Sequence, residues 1–160
     1  MLLSIYVESL RKSNEELTKK VEHLERYSRD FNIRILGVNE TQGEDCLGII
    51  MNLFSSLGFE DAGAELENAH RTGKKRDDKP RHIIAKLYSR PFKRKLIQAS
   101  RSEEGKATLG GARIVEDFSP TDFEVRKKAL PLMKMAYDEG KKVRFTRGKL
   151  LVDGREIAVV

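Results

Sequence analysis

The chain of 160 residues has one cysteine, no tryptophan, four prolines and an aromatic content of only 7%. A single thiol, Cys46, excludes an internal disulfide and any multi-cysteine metal site, so a reducing cytosolic or nuclear setting is expected, with Cys46 as core filler. Long hydrophobic runs are missing too. The longest apolar-rich uncharged stretch, around Cys46 to Leu57, holds Gly48, Asn52 and two serines, too short and too polar to cross a bilayer. Met1 to Val7 lacks the basic start and cleavage site of a signal peptide. Catalytic signatures are equally scarce. His23, His70 and His82 are scattered, no HExxH or CxxC spacing occurs, and Gly110-Gly111 is not followed by the GK[ST] of a phosphate loop. Asp77 and Asp78 have no partner carboxylate and read as a solvated turn. No enzyme, cofactor, metal or small-molecule substrate is expected.

What the chain does have is unevenly placed positive charge. Net charge is +6 overall, but it is zero over residues 1–31, −6 over 32–70, +10 over 71–115 and +2 over 116–160. In "RHIIAKLYSRPFKRKLIQASR", residues 81–101, Arg90, Lys93, Arg94, Lys95 and Arg101 stand together without one acid. Such an excess points to a polyanionic partner, the plainer alternative being a solvated charged face.

Leu3, Val7, Leu10, Asn14, Leu17, Val21, Leu24, Ser28 and Phe31 follow one another in alternating steps of four and three. That is a heptad seam with Val7, Asn14, Val21 and Ser28 at a and the leucines and Phe31 at d. A lone helix cannot hide such a stripe, so residues 1–31 are expected to form a parallel coiled coil between copies of the chain; the alternative is a helix lying on its own domain. Asn14 would penalise slipped registers. Valine at a with leucine at d leans towards two strands, whereas Lys20, Val21, Leu24 and Glu25 place a cation at g and an acid at e, which suits neighbours in a trimer.

Short strands and helices follow. "NIRILGV" (32–38) reads as a buried strand, and 41–58 as a helix with Thr41 and Glu44 as capping box and Gly58 as stop. A second strand over 64–71, a polar loop over 71–81 and a third strand over 83–88 lead to a helix from Pro91 through Arg101. Residues 106–115 read as a fourth strand or hairpin. The order βαββαβ over 32–116 is the split βαβ arrangement of RNA-recognition-type sandwiches. Residues 117–160 form a separate unit: a helix capped by Ser119 with Pro120 in its first turn, burying Phe123, Leu130, Met133 and Tyr137, bent or divided at Pro131, then a hairpin turning at Asp153-Gly154. The expected fold is therefore α+β: an N-terminal parallel coiled coil, an RNA-recognition-like βαββαβ sandwich and a small helix-plus-β-hairpin domain.

"NIRILGV" directly after a coil, "PRHIIAKL" (80–87) and the basic helix "FEVRKKALPLMK" (123–134) resemble, in order and spacing, the RNA-binding chaperone protein encoded by the first open reading frame of LINE retrotransposons. That family carries transposase-like labels, and its coils carry arginine where Lys20 stands. The resemblance implies a homotrimer whose RNA-recognition-like and C-terminal domains together grip single-stranded RNA, and single-stranded DNA, in a cytoplasmic ribonucleoprotein that is also compatible with the nucleus. It also implies a C-terminal domain continuing beyond Val160. Arg34, Arg81 and Arg126 match family arginines, while Arg71 and Arg101 align more loosely. Arg34 alternates with Ile33 and Ile35 and so leaves the core on the opposite face, either to bind or to pair with Glu67. Lys74, Lys75, Arg76, Lys127, Arg144 and Lys149 complete the candidate phosphate contacts. Phe145 is the candidate stacking residue, with core filler as the alternative. The strands expected to form the sheet carry no aromatic pair, so phosphates rather than bases should dominate binding. Two other functions fit less of the chain: a coiled-coil adaptor whose basic part binds an acidic protein, and a double-stranded DNA regulator, for which no helix-turn-helix is found.

Overall fold

A computed structural model describes all residues, 1–160. The protein is α+β, with five α-helices and two antiparallel sheets. It begins with α1 (Leu2–Arg29), whose 28 residues include none that is buried. Leu3, Val7, Leu10, Leu17, Val21 and Leu24 all lie on the surface of the single chain. The helix stops at Arg29, so Phe31 falls outside the stripe that the heptad spacing assigned to it. Its ring instead stands edge-on to Tyr27, with centroids 6.4 Å apart.

The chain divides into two compact units. One, Tyr27–Asp117, contains β1 (Asn32–Leu36), α2 (Cys46–Ser56), β2 (Leu66–Arg71), β3 (Ile83–Leu87), α3 (Arg90–Arg101), α4 (Glu103–Leu109) and β4 (Arg113–Glu116). Its sheet has the order β2-β3-β1-β4 with every pair antiparallel. Alternation along the strands decides what each face carries. Ile33, Ile35, Ile83, Ala85 and Ile114 point to one side, where they meet Ile50 and Phe54 of α2 and Leu96 and Ile97 of α3. Fully burying each of the larger side chains contributes about 1.5–3 kcal/mol relative to exposure.

Two helix boundaries differ from the sequence reading. Helix α2 starts at Cys46, not Thr41, with Asp45 at the cap position and Glu44 held by Arg71. Glu44 still receives the Thr41 backbone N–H, at 3.3 Å, but inside a loop. Residues 103–109 are helical, so the strand or hairpin expected over 106–115 is confined to 113–116. Ser102 explains this. Its hydroxyl donates to the Ala99 carbonyl at 2.8 Å, closing α3, and accepts from the Gly105 N–H at 3.0 Å, opening α4.

The other unit comprises Met1–Arg26 and Phe118–Val160. It contains α5 (Pro120–Asp138) and the antiparallel strands β5 (Val143–Thr146), β6 (Lys149–Val152) and β7 (Arg155–Ile157), in that order across the sheet. Both hairpins turn on two residues with positive φ: Arg147 (51°) and Gly148 (73°), then Asp153 (50°) and Gly154 (80°). Ser119 caps α5 by accepting the Asp122 N–H at 3.2 Å. Helix α5 continues through Pro131 without division. Its packing is turned from the expected one, and of the four residues assigned to the buried stripe only Met133 is half-buried. Ala129 and Ala136 are buried, while Phe123, Leu130 and Tyr137 are exposed. Arg26 of α1 fastens this unit through Asp122: Nε and Nη2 donate to the two carboxylate oxygens at 2.7 and 2.8 Å. The fit is tight, since a Cβ on Gly148 would lie 2.6 Å from Asp122 Oδ1 and 3.1 Å from Arg26 Nη2.

Candidate nucleic-acid interface

Strand register settles which cations share the open face of the four-stranded sheet. Arg34 pairs across with Ile84 and Val115, Asn32 with Lys86, and Leu36 with Arg113. Directly opposed residues share a face, so Arg34, Lys86 and Arg113 all project away from the core, with His82 one step before β3. Lys86 and Arg113 were not nominated from the sequence. The signal existed: each stands at the outward parity of its strand, visible once the register is known. Ile84, Val115 and Leu36 lie between the cations, half-buried, and no aromatic ring stands among the strand positions of this face.

Arg34 is not a free cation. Its Nε donates to Asp117 Oδ1 at 2.8 Å, and Nη1 lies 3.4 Å from His82 Nδ1. Asp117, with a side chain only 1% exposed, also receives Arg29 Nη1 at 3.0 Å and the Asn32 amide at 3.0 Å. Glu67, the acid the sequence suggested for Arg34, pairs with Lys86 at 3.3 Å instead. Burial, then the positive charge of Arg34 and Arg113, push the His82 pKa below its ordinary value.

The loop cations differ sharply in their freedom. Arg71 sits at the inward parity of β2, opposite Ile83, and its side chain is 5% exposed. All five of its N–H donors are used. Nε and Nη2 reach Glu44 at 2.6 and 3.0 Å, Nη1 reaches the Val38 and Arg81 carbonyls at 2.7 Å each, and Nη2 reaches the Asn39 carbonyl at 2.9 Å. The structure thus makes Arg71 a strut between the loop after β1 and the start of β3, not an open phosphate ligand as the sequence suggested. Its hydrogen bond to Glu44 holds that carboxyl below the ordinary range and raises Arg71 itself. Arg81 is held by Glu40, Nε to Oε1 at 2.8 Å, and the same bond lowers the Glu40 pKa. Arg76 forks onto Asp78 in the exposed loop, while Lys74 and Lys75 are exposed and make no ion pair.

The acid-free stretch that stood out in the sequence separates into two kinds of cation. Arg90 lies 4.5 Å from the Phe31 ring centre and 5.2 Å from that of Tyr27, and Nε reaches Asp30 at 2.6 Å. Lys93, 6% exposed, donates to the Asp30 carbonyl at 2.9 Å. Both are engaged by residues 27–31 where α1 gives way to β1, Arg90 with its side chain still 39% exposed. Arg94, Lys95 and Arg101 remain exposed along α3. In the other unit Arg126 stands 5.6 Å from the Phe118 ring centre, and Phe118 meets Phe145 edge-on at 5.6 Å, so Phe145 is half-buried in an aromatic pair. Lys127 and Arg144 are exposed; Lys149 pairs with Glu156 at 3.2 Å. No helix is long and apolar enough to cross a membrane.

The class defined by these observations is an α+β protein of two units, one presenting a basic sheet face and the other carrying an uncovered amphipathic helix. No protein-family model matches the chain. Among curated proteins it is similar to LINE-1 type transposase domain-containing protein 1 of Mus musculus, 28% identical over 148 residues and 84% of the chain. It is also similar to the Homo sapiens protein of that name, 33% identical over 124 residues and 71% of the chain. The chain spans only 19% and 14% of those proteins' lengths. The two names support a LINE-1-related family.

Proposed function

We propose that the chain is an oligomeric, largely sequence-independent single-stranded nucleic-acid-binding protein. It acts as a nucleic-acid chaperone that packages retrotransposon RNA into cytoplasmic ribonucleoprotein and performs no catalysis. The observation that carries the reading is the sheet face of Arg34, Lys86 and Arg113, whose strand positions hold no aromatic ring and whose β3 edges offer only His82 and the exposed Tyr88, which suits phosphates better than bases. The β2-β3-β1-β4 order supports an RNA-recognition-like sandwich, and relatives with LINE-1 names support a retrotransposon-associated role. The bare stripe of α1 supports assembly through a parallel coiled coil, with Lys20 and Glu25 favouring three strands. Joining three copies multiplies weak sites by raising the effective concentration of the second and third.

The test is the salt dependence of affinity for a single-stranded RNA. Each phosphate contact removed lowers the slope of log K against log salt by about 0.7. Lys86→Gln with Arg113→Gln should lower it by roughly 1.4 while the protein stays folded. A wild-type protein whose affinity ignores salt refutes the electrostatic mechanism, and capture of an acidic protein with no RNA retention favours the adaptor instead.

A further inference from the structure

We propose that the outward stripe of α5 is a stacking track for unpaired nucleobases, a site that rests on the single-strand-binding reading above and adds the contacts the sheet lacks. Phe123, Lys127, Leu130, Lys134 and Tyr137 follow one another in steps of four, three, four and three, which keeps them on one line along the helix. Phe123 is 55% exposed and Tyr137 64%. A helix on a soluble domain ordinarily turns its large apolar residues inward, but α5 buries Ala129 and Ala136 and half-buries Val125 and Met133 while Phe123, Leu130 and Tyr137 face water. Exposure of this kind marks a surface that is covered in use.

The composition of the stripe says by what. Lys127 and Lys134 alternate with the apolar side chains, neither makes an ion pair, and no acid stands on the line. Glu124 and Asp138 lie to one flank. A purely apolar partner would leave two ammonium groups buried and unpaired, at heavy cost. A single strand satisfies both kinds of residue, because its bases offer faces to the rings and its phosphates accept the lysines. Pro131 has no N–H to give the Lys127 carbonyl, so the backbone ladder lacks one bond beside the track. From Phe123 to Tyr137 the helix rises about 21 Å, room for several nucleotides.

The test compares a labelled oligouridylate with an abasic ribose-phosphate chain of equal length, using the full chain. Wild type should prefer the oligouridylate by about tenfold or more, since stacking on one ring is worth roughly fivefold to a hundredfold per base. Phe123→Gln with Tyr137→Gln should remove that preference and leave the salt slope unchanged. Lys127→Gln with Lys134→Gln should lower the slope by about 1.4 and keep the preference. Wild type binding both chains equally, or the aromatic variant keeping its preference, overturns the track alone. A change in sedimenting mass of the aromatic variant, with its base preference intact, likewise overturns it and assigns the stripe to a second copy of the chain. Failure of wild type to bind either chain overturns the single-strand reading and the track with it.

Discussion

Replacing Arg71 with methionine should unfold the Tyr27–Asp117 unit in preference to weakening nucleic-acid binding. The substitution keeps much of the aliphatic volume but removes five donors at once. Glu44, 10% exposed, would be left as a nearly buried carboxylate without its ionic partner, and the Val38 and Arg81 carbonyls would each lose a hydrogen bond. Removing one member of a buried ion pair costs about 3–5 kcal/mol, a large share of a stability of order 5–15 kcal/mol. With a urea m-value of about 1.5 kcal/mol per M, the midpoint should fall by roughly 2–3 M. Glu44→Gln should fall by a similar amount, and the double variant by less than the sum, since the two groups act on each other. Affinity for single-stranded RNA, measured without urea and corrected for the folded fraction, should stay within about twofold. An unmoved midpoint combined with a tenfold loss of affinity would refute the assignment and return Arg71 to the ligands.

Acid should act on this unit in two separate windows. Protonating His82 adds a cation against Arg34 and Arg113, and its folded pKa lies below the ordinary 6.5, so stability falls as pH drops from 6.5 towards that lowered value. His82→Gln should flatten that limb in pH-resolved thermal melts. Glu40 and Glu44 are both depressed from 4.5, so their stabilisation is complete above that pH and is lost as pH falls through the folded values. Gly105→Ala should lower the melting temperature, because a Cβ there runs into the Ala99 carbonyl oxygen; overpacking of this kind costs about 1–3 kcal/mol, and an unchanged melt would show that α3 and α4 can separate freely. Leu17→Asp with Leu24→Asp should reduce the sedimenting mass to that of one chain, while an unchanged mass would place the assembly contacts elsewhere.

The elements were readable where local chemistry and burial agree. "NIRILGV" alternates and ends at glycine, and Ser119-Pro120 opens α5 with its capping hydroxyl in place. Residues 106–109 read as strand because Gly110-Gly111 suggests a hairpin, whereas the deciding group, the Ser102 hydroxyl, serves two helices at once. The turned face of α5 was invisible for a different reason. Periodicity identifies a stripe but not its direction, and only the packing of Ala129 and Ala136 tells which side is wet. The same limit applies to charge. A count of +10 over residues 71–115 cannot separate Arg71, Arg90 and Lys93, engaged within the fold, from Arg94, Lys95 and Arg101, because their partners Glu44 and Asp30 lie far away in the chain.

Asp117 bears on how readily the sheet face could let a guest go. A carboxylate tied to a single arginine would become a stranded interior charge whenever that arginine turned outward, and the penalty would hold the door shut. Here Arg29 and Asn32 would stay behind if Arg34 swung to a phosphate. Losing Arg34 would therefore be a trade of one ionic neighbour for another, with a small net change. Many such shallow exchanges, repeated along a strand, favour a grip that slides and re-forms over one that locks.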